Sequence, residues 1–215
     1  MNERSFCEFF YVYLRHQNNK LSCMAIRQKC DKKRMVLLKA TLHLVNNNGF
    51  HDAPMSKIAK MAEMSPATIY IYFENKQDLI NQLYLEMKAV FSAQAFKNYN
   101  EEQCVKESFK QIWYNIAKFK LNQTEESNFL SQCDNTPIID ENIKREGLKH
   151  LQPLVNLWER GVSENIIKPV SPYLMYAFTI YPLAFLTNTQ HKEHCPLNNE
   201  KLKEAFNIAW DSIKL

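Results

Sequence analysis

The sequence predicts an all-α protein, and three features support that fold class. Apolar residues recur at intervals of three and four along much of the chain, and no stretch alternates with the period of two expected of strands. Glycine occurs only three times in 215 residues, while 46% of the residues are hydrophobic, which is typical of a well-packed soluble protein. A helix-starting signal, serine followed by proline, occurs at Ser65-Pro66 and at Ser171-Pro172.

The first two helices are predicted from where the apolar pattern starts and stops. A helical pattern runs from about Cys30 to Asn48, and Gly49 can adopt the left-handed conformation that ends a helix. Pro54 suits the first position of a second helix, because its missing N–H is not needed there.

The third helix begins at Ser65-Pro66 and has two different sides. Ile69 and Phe73 are four residues apart and should be buried together. A short helix with small, hydroxylated or aromatic residues on its outer side can fit the DNA major groove. Here that side carries Ala67, Thr68, Ile71 and Tyr72.

This stretch resembles the helix-turn-helix of the TetR family of transcriptional regulators. The matching residues at fixed spacing are Ile58, Ala59, Ala62, Ser65, Ile69, Tyr70, Tyr72, Phe73, Asn75, Lys76 and Leu79. The sequence departs from the family pattern at three places. Glu63 stands where the family usually has glycine, Pro54 lies near a usual threonine, and Ile71 occupies a site often held by tyrosine.

The resemblance implies DNA-contacting roles for residues in and just after the third helix. Ser65 and the N–H groups after it would bind a DNA phosphate at the helix N-terminus, where Pro66 is the first helical residue and a further candidate for DNA contact. Tyr70 and Lys76 would hold backbone phosphates and set the register. The residues that would face base edges or thymine methyl groups are Ala67, Thr68, Ile71 and Tyr72. The alternative for Tyr70 and Tyr72 is a packing role.

The charge distribution favours a polyanionic partner for the N-terminal part. Nine basic residues and two acids lie between Lys20 and Lys60, an excess of seven positive charges in a chain of net charge +4, so the remainder carries −3. The resemblance implies that Arg27, Lys29, Lys32, Lys33 and Arg34 approach phosphates or the minor groove; the alternative is a solvated charged helix face.

Further helices follow, and the chain divides into a small and a larger predicted domain. A helix capped by Asn75 runs to about Tyr99, and others start near Asn100, at Thr124, at Asp140, at Ser171 and near Asn199. Pro153 and Pro182 should kink or split the helices that contain them. We predict a leader over residues 1–23, a DNA-binding domain over 24–74, a linking helix over 75–99, and a ligand-binding and dimerisation domain over 100–215.

The larger domain is expected to form a homodimer and to hold a small-molecule effector. Its last two helices carry more apolar surface than a terminal pair needs, and in the family such a pair meets its copy; the alternative is a monomeric core hairpin. The resemblance also implies a pocket for a bulky, largely apolar ligand. Candidate lining residues are Phe109, Trp113, Tyr114, Phe129, Cys133, Trp158, Tyr176 and Tyr181, each of which could instead be core.

These features predict a regulator, by default a repressor, that binds a palindromic operator in double-stranded DNA. Six scattered cysteines without a C-x-x-C pair indicate a reducing cytoplasm, and no apolar run is long enough to span a membrane. No cofactor or catalytic residue is predicted, since phosphate-loop, G-x-S-x-G and H-E-x-x-H motifs are absent from the sequence.

Four alternatives remain open. Residues 1–23 form either a short amphipathic helix or a stretch upstream of a true start at Met24, and the family pattern, which begins just after Met24, favours the second. His191, His194 and Cys195 are weak candidates for a metal site. Cys133 and His150 could be paired as the dyad of an enzyme. A small-molecule-binding protein without sequence-specific DNA binding would explain the larger domain alone.

Overall fold

The computed structural model describes residues 30–187 and 197–215. The predicted leader, Arg27 and Lys29, and the histidines and cysteine at 191–195 lie outside the described residues. Within the described part every regular element is a helix, apart from an isolated bridge between Ile167 and Lys214, so the all-α prediction is confirmed. The chain divides into two compact units, residues 1–76 and 77–215.

The described part of the first unit, residues 30–76, contains three helices and a small apolar core. Helix α1 covers residues 30–48, α2 covers Met55–Met61 and α3 covers Pro66–Tyr72. Gly49 ends α1 with φ of +81°, and its N–H donates to the carbonyl of Val45 at 2.9 Å, as predicted. Pro54 is the residue before α2 rather than its first residue.

The second unit is built from the remaining helices. Their bounds are α4 Lys76–Ala95, whose first residue still belongs to the first unit, α5 Val105–Asn122, α6 Thr124–Asn135, α7 Glu141–Leu148, α8 Gln152–Ser163, α9 Pro172–Thr179, α10 Pro182–Leu186 and α11 Asn199–Ile213. Helix α5 lies at the centre and packs on α6, α8, α10 and α11.

Aromatic rings fill the space around α5. Phe109 contacts Trp158 of α8 and Trp210 of α11, with ring centroids 6.4 and 6.0 Å apart. Trp113 packs edge-on against Phe206 at 5.6 Å, and its indole N–H donates to the carbonyl of Thr179 at 2.9 Å. This N–H bond fixes the end of α9 against α5.

Prolines split two of the predicted helices, as expected from their sequence positions. The pattern from Asp140 to Ser163 becomes α7, a 3₁₀ turn over Lys149–Leu151, and α8 with Pro153 in its first turn. The pattern after Ser171 becomes α9 and α10, with Pro182 opening α10. A proline fits the start of a helix because no intrahelical acceptor awaits its missing N–H.

The linking helix is shorter than predicted, since α4 ends at Ala95 instead of near Tyr99. The side-chain amide of Asn115 donates to the carbonyls of Ala95 and Lys97 at 3.1 and 2.9 Å, which supplies partners for the end of the helix. Asn98 then adopts a left-handed backbone with φ of +60°. Both effects depend on contacts or conformations that apolar spacing does not encode.

The turn between α2 and α3 contains a strained residue. The N–H of Met64 donates to the carbonyl of Ala59 at 2.9 Å and that of Glu63 to the carbonyl of Lys60 at 3.1 Å, the two bonds of a Schellman motif. This motif requires a left-handed residue, and Glu63 supplies it with φ of +55°. A residue other than glycine is disfavoured there by roughly 1–2 kcal/mol.

We therefore predict that Glu63→Gly stabilises the protein by about 0.5–1 kcal/mol, because relief of the left-handed strain outweighs the added flexibility of glycine in the unfolded chain. The midpoint of chemical denaturation, followed by circular dichroism, measures the change. The control Lys57→Gly, inside α2, should lower the stability by about 1 kcal/mol. A lower midpoint for Glu63→Gly would contradict the strain argument.

Candidate nucleic-acid interface

Helix α3 is fixed at its N-terminus by its own first residues. The Ser65 hydroxyl accepts a hydrogen bond from the N–H of Thr68 at 3.2 Å and lies 2.8 Å from the Thr68 hydroxyl. Pro66 occupies the first helical position. The predicted cap is therefore confirmed, and the serine hydroxyl already has two partners within the turn.

The two sides of α3 differ sharply in exposure. Ile69 is 0% exposed and Phe73 is 1% exposed, so both belong to the core of the first unit. On the opposite side Tyr70 is 58% exposed and Ile71 is 76% exposed. The remaining candidate contacts lie on this side or at the start of the helix: Ser65, Pro66 and Ala67 are exposed, while Thr68 and Tyr72 are half-buried.

Tyr72 has a neighbour that the sequence pattern did not reveal. Its hydroxyl donates weakly to the Sγ atom of Cys30 at 3.8 Å, across a separation of 42 positions in the chain. Burial and this contact raise the pKa of Tyr72. Its hydroxyl hydrogen points toward Cys30, so a bond to a base edge or a phosphate would have to replace this weak contact.

Lys76 contacts the backbone instead of pointing freely outward. Its ammonium group donates to the carbonyl of Phe50, and to that of His51 at 3.3 Å, both in the segment after α1. Since an ammonium carries three hydrogens, a third donor remains for an anion. Lys76 thus connects the start of α4 to this segment, in addition to the phosphate role that the resemblance implies.

Positive side chains are exposed elsewhere on the first unit. Lys32, Lys33 and Lys39 lie on α1, and Lys57 and Lys60 lie on α2, all at exposed positions. These five lysines and the half-buried Arg34 of α1 carry the part of the predicted basic front that falls within the described residues.

The eight predicted ligand-pocket residues are divided between the core and small cavities. Phe109, Trp113, Phe129, Cys133 and Trp158 are buried core residues, and Trp113 also borders an apolar groove between α9–α10 and α11. Tyr114 packs edge-on against Trp113 at 5.3 Å. Tyr176 and Tyr181 line a cavity of about 30 Å³ together with Lys120 and Asp134.

A second, more polar cavity of about 340 Å³ adjoins Lys120 and Tyr181. Neither Lys120 nor its charged neighbours Lys88 and Asp134 was among the predicted site residues. The available signal was Lys120 itself, a lysine at a position of α5 where the helical spacing favours an apolar side chain. Burial lowers the pKa of this ammonium to about 8, with Asp134 opposing the shift and Lys88 adding to it.

Residues for metal binding or nucleophilic chemistry are poorly placed. Burial raises the pKa of the Cys133 thiol to about 12, which keeps it protonated and disfavours its use as a nucleophile. Within residues 30–187 and 197–215, no cluster of three histidine, cysteine or acidic side chains is arranged to hold a metal ion.

None of the helices in this part of the chain combines the length and apolarity that a bilayer crossing demands.

Two family models match the chain. The model of bacterial regulatory proteins of the tetR family matches residues 37–83, which include α2 and α3. The model of a tetracyclin repressor-like C-terminal domain matches residues 104–214, more than half of the chain.

Individual proteins resemble the chain over different lengths. An uncharacterized HTH-type transcriptional regulator of Haemophilus influenzae is 34% identical over 102 residues, which are 47% of this chain and 54% of that protein. The chain thus matches about half the length of this relative. Among solved structures, a TetR family transcription regulator from Marinobacter aquaeolei is 27% identical with a TM-score of 0.80, covering 87% of this chain and 98% of that one.

Another solved structure with this fold contains a ligand. FadR from Bacillus subtilis, in complex with stearoyl-CoA, has a TM-score of 0.63 at 18% identity, covering 82% of this chain and 95% of that one. At that identity the likeness concerns the fold alone. From the two family models, which cover both units, we conclude that the chain belongs to the TetR family of DNA-binding transcriptional regulators.

Proposed function

We propose that this protein is a ligand-responsive repressor that binds a palindromic operator as a homodimer. The observation that carries the proposal is the contrast in α3, where Ile69 is buried while Tyr70 and Ile71 are exposed. An apolar residue as exposed as Ile71 has no packing role in its own unit. Contact with a thymine methyl group in the major groove would give it one.

A second exposed apolar surface supports dimerisation. Helices α9 to α11 expose large apolar side chains on one part of the second unit, and a groove of about 250 Å³ lies between them. Contiguous apolar surface of this kind is typical of an interface. The exposed residues include Tyr173, Leu174, Phe178, Phe185 and Ile208, of which Phe178 and Ile208 border the groove. A two-fold dimer would place two copies of α3 one duplex turn, or a multiple of it, apart along a palindrome.

Release from DNA would follow from the binding of a small molecule to the second unit. A ligand that binds better to the state unsuited to DNA shifts the population toward that state and lowers the affinity for the operator. The stearoyl-CoA complex of FadR shows that a protein of this fold accommodates a ligand, and the cavities beside Lys120 and Tyr181 offer a place for one.

Selection of bound fragments from random duplex DNA tests this function. We expect a palindromic sequence to emerge, because two symmetry-related α3 helices read the same bases. The rival, a small-molecule-binding protein without sequence-specific DNA binding, predicts weak binding that enriches no sequence. The absence of enrichment at physiological salt would overturn the proposal.

Thr68→Ala and Lys76→Ala should affect DNA binding in different ways. Loss of the Lys76 ammonium should weaken binding to all sequences alike and reduce the slope of log affinity against log salt by about one unit. Loss of the Thr68 hydroxyl should change the preference among sites more than the overall affinity. Titrations of a selected site and of two single-base variants at several salt concentrations measure both effects.

Two controls separate contact with DNA from loss of structure in that experiment. Lys118→Ala removes an exposed lysine of α5, in the second unit and outside the basic front, so it reports the effect of net charge alone. A thermal melt of Lys76→Ala reports the loss of its bonds to Phe50 and His51. If Thr68→Ala lowers the affinity for every DNA sequence equally, Thr68 positions the protein on DNA and does not read bases.

The dimer interface is tested by placing a charge on it. Ile208 is 72% exposed in the single chain, so Ile208→Glu should preserve the fold but convert the dimer to a monomer in sedimentation equilibrium, since burial of an unpaired carboxylate is costly. Leu148→Glu is the matched control, because Leu148 is 56% exposed and belongs to α7, which contributes no residue to the groove. A monomeric wild-type protein, or a dimeric Ile208→Glu variant, would contradict the interface.

A further inference from the structure

Charged side chains of α4, α5 and α6 come together in the second unit, where Lys88 is buried and its partner Asp134 is exposed. The Lys88 residue is only 4% exposed, and its Nζ atom lies 3.4 Å from Oδ1 of Asp134 and 5.2 Å from the centre of the Tyr84 ring. The Asp134 carboxylate therefore balances Lys88. A buried cation requires such a partner, because an isolated one would be strongly destabilising.

Lys120 adds a second cation to this group. It is partly buried and borders both the 30 Å³ and the 340 Å³ cavities, and Asp134 also lines the smaller one. Within residues 30–187 and 197–215 we find no hydrogen-bond acceptor for its ammonium group. The nearby Lys144 has its own partners, the carbonyl of Thr136 at 3.3 Å and Glu141 at 4.0 Å. Among the described residues that line the larger cavity Lys120 is the one charged side chain, so the wall of that cavity carries a single positive charge.

The larger cavity combines this charge with neutral polar groups and some apolar surface. Its polar lining comes from α6 and from the ends of α5 and α10: Thr124, Ser127, Asn128, Ser131, Asn135 and Thr187. Ala184 and Phe185 of α10 contribute apolar surface to the same lining. A volume of about 340 Å³ falls at the lower end of small-molecule sites.

We propose that this cavity binds a small organic monocarboxylate, with its carboxylate at Lys120 and its hydrocarbon part against Ala184 and Phe185. One negative charge matches the single positive charge of the wall, whereas a phosphate dianion would exceed it. Hydroxyl and amide groups of Ser131 and Asn135 border the same space and suit the remaining lone pairs of a carboxylate. That this molecule is the effector rests on the function proposed above.

Calorimetric titration of the full chain, without DNA, tests the site with octanoate, 1-octanol and octyl phosphate. Octanoate should bind to a single saturable site and more tightly than either of the other two probes. Lys120→Gln should weaken octanoate binding at least about tenfold, the usual effect of losing a charge-assisted hydrogen bond, and leave 1-octanol unchanged. The matched control is Lys118→Gln, an exposed lysine on α5 that is not part of the cavity lining, which should bind all three probes as the wild type does.

Three results would each overturn the site: no saturable octanoate binding to the wild type, equal octanoate affinity in Lys120→Gln, or tighter binding of octyl phosphate. The comparison of octanoate with 1-octanol on the wild type requires no variant, and Lys120→Met provides a second one if Lys120→Gln does not fold. These titrations contain no DNA, so failure of the regulator proposal leaves their outcome unaffected. If octanoate binds at Lys120 but the affinity of the protein for a selected operator does not change, the effector role is refuted while the binding site itself stands.

Discussion

The candidate DNA-reading surface depends on the burial of two side chains, Ile69 and Phe73. A seven-residue helix such as α3 is not stable on its own, so tertiary packing must hold it in place. Burial of these two side chains fixes the rotation of α3 about its axis, and the Ser65 cap fixes its N-terminus. The exposure of Tyr70 and Ile71 then follows from helical geometry, because they lie on the other side.

Much of this arrangement is encoded by local signals, which explains why the sequence predicts it. The Ser65-Pro66 start, the left-handed Gly49 and the prolines that split helices act within a few residues. Contacts between positions that are distant in the chain produce no local sequence signal. Lys76 bonding to the backbone after α1, Asn115 at the end of α4, and the Lys88–Asp134 pair are examples that apolar spacing could not reveal.

The aromatic residues of the second unit illustrate the same limit. Their helical spacing predicts burial, and it does not distinguish a residue packed against another ring from one that faces a cavity. Phe109 and Trp158 pack against each other, whereas Tyr176 and Tyr181 border the charged cavity. The polar residues around Lys120 therefore say more about a possible ligand than the aromatic residues do.

Methylation interference at guanine N7 on a selected operator tests the central claim most directly, since N7 lies in the major groove. If the outer side of α3 enters that groove twice per dimer, interference should occur in two symmetric clusters, separated by about one helical turn or a multiple of it. A single cluster, or strong binding without interference at any guanine of the operator, would contradict this account.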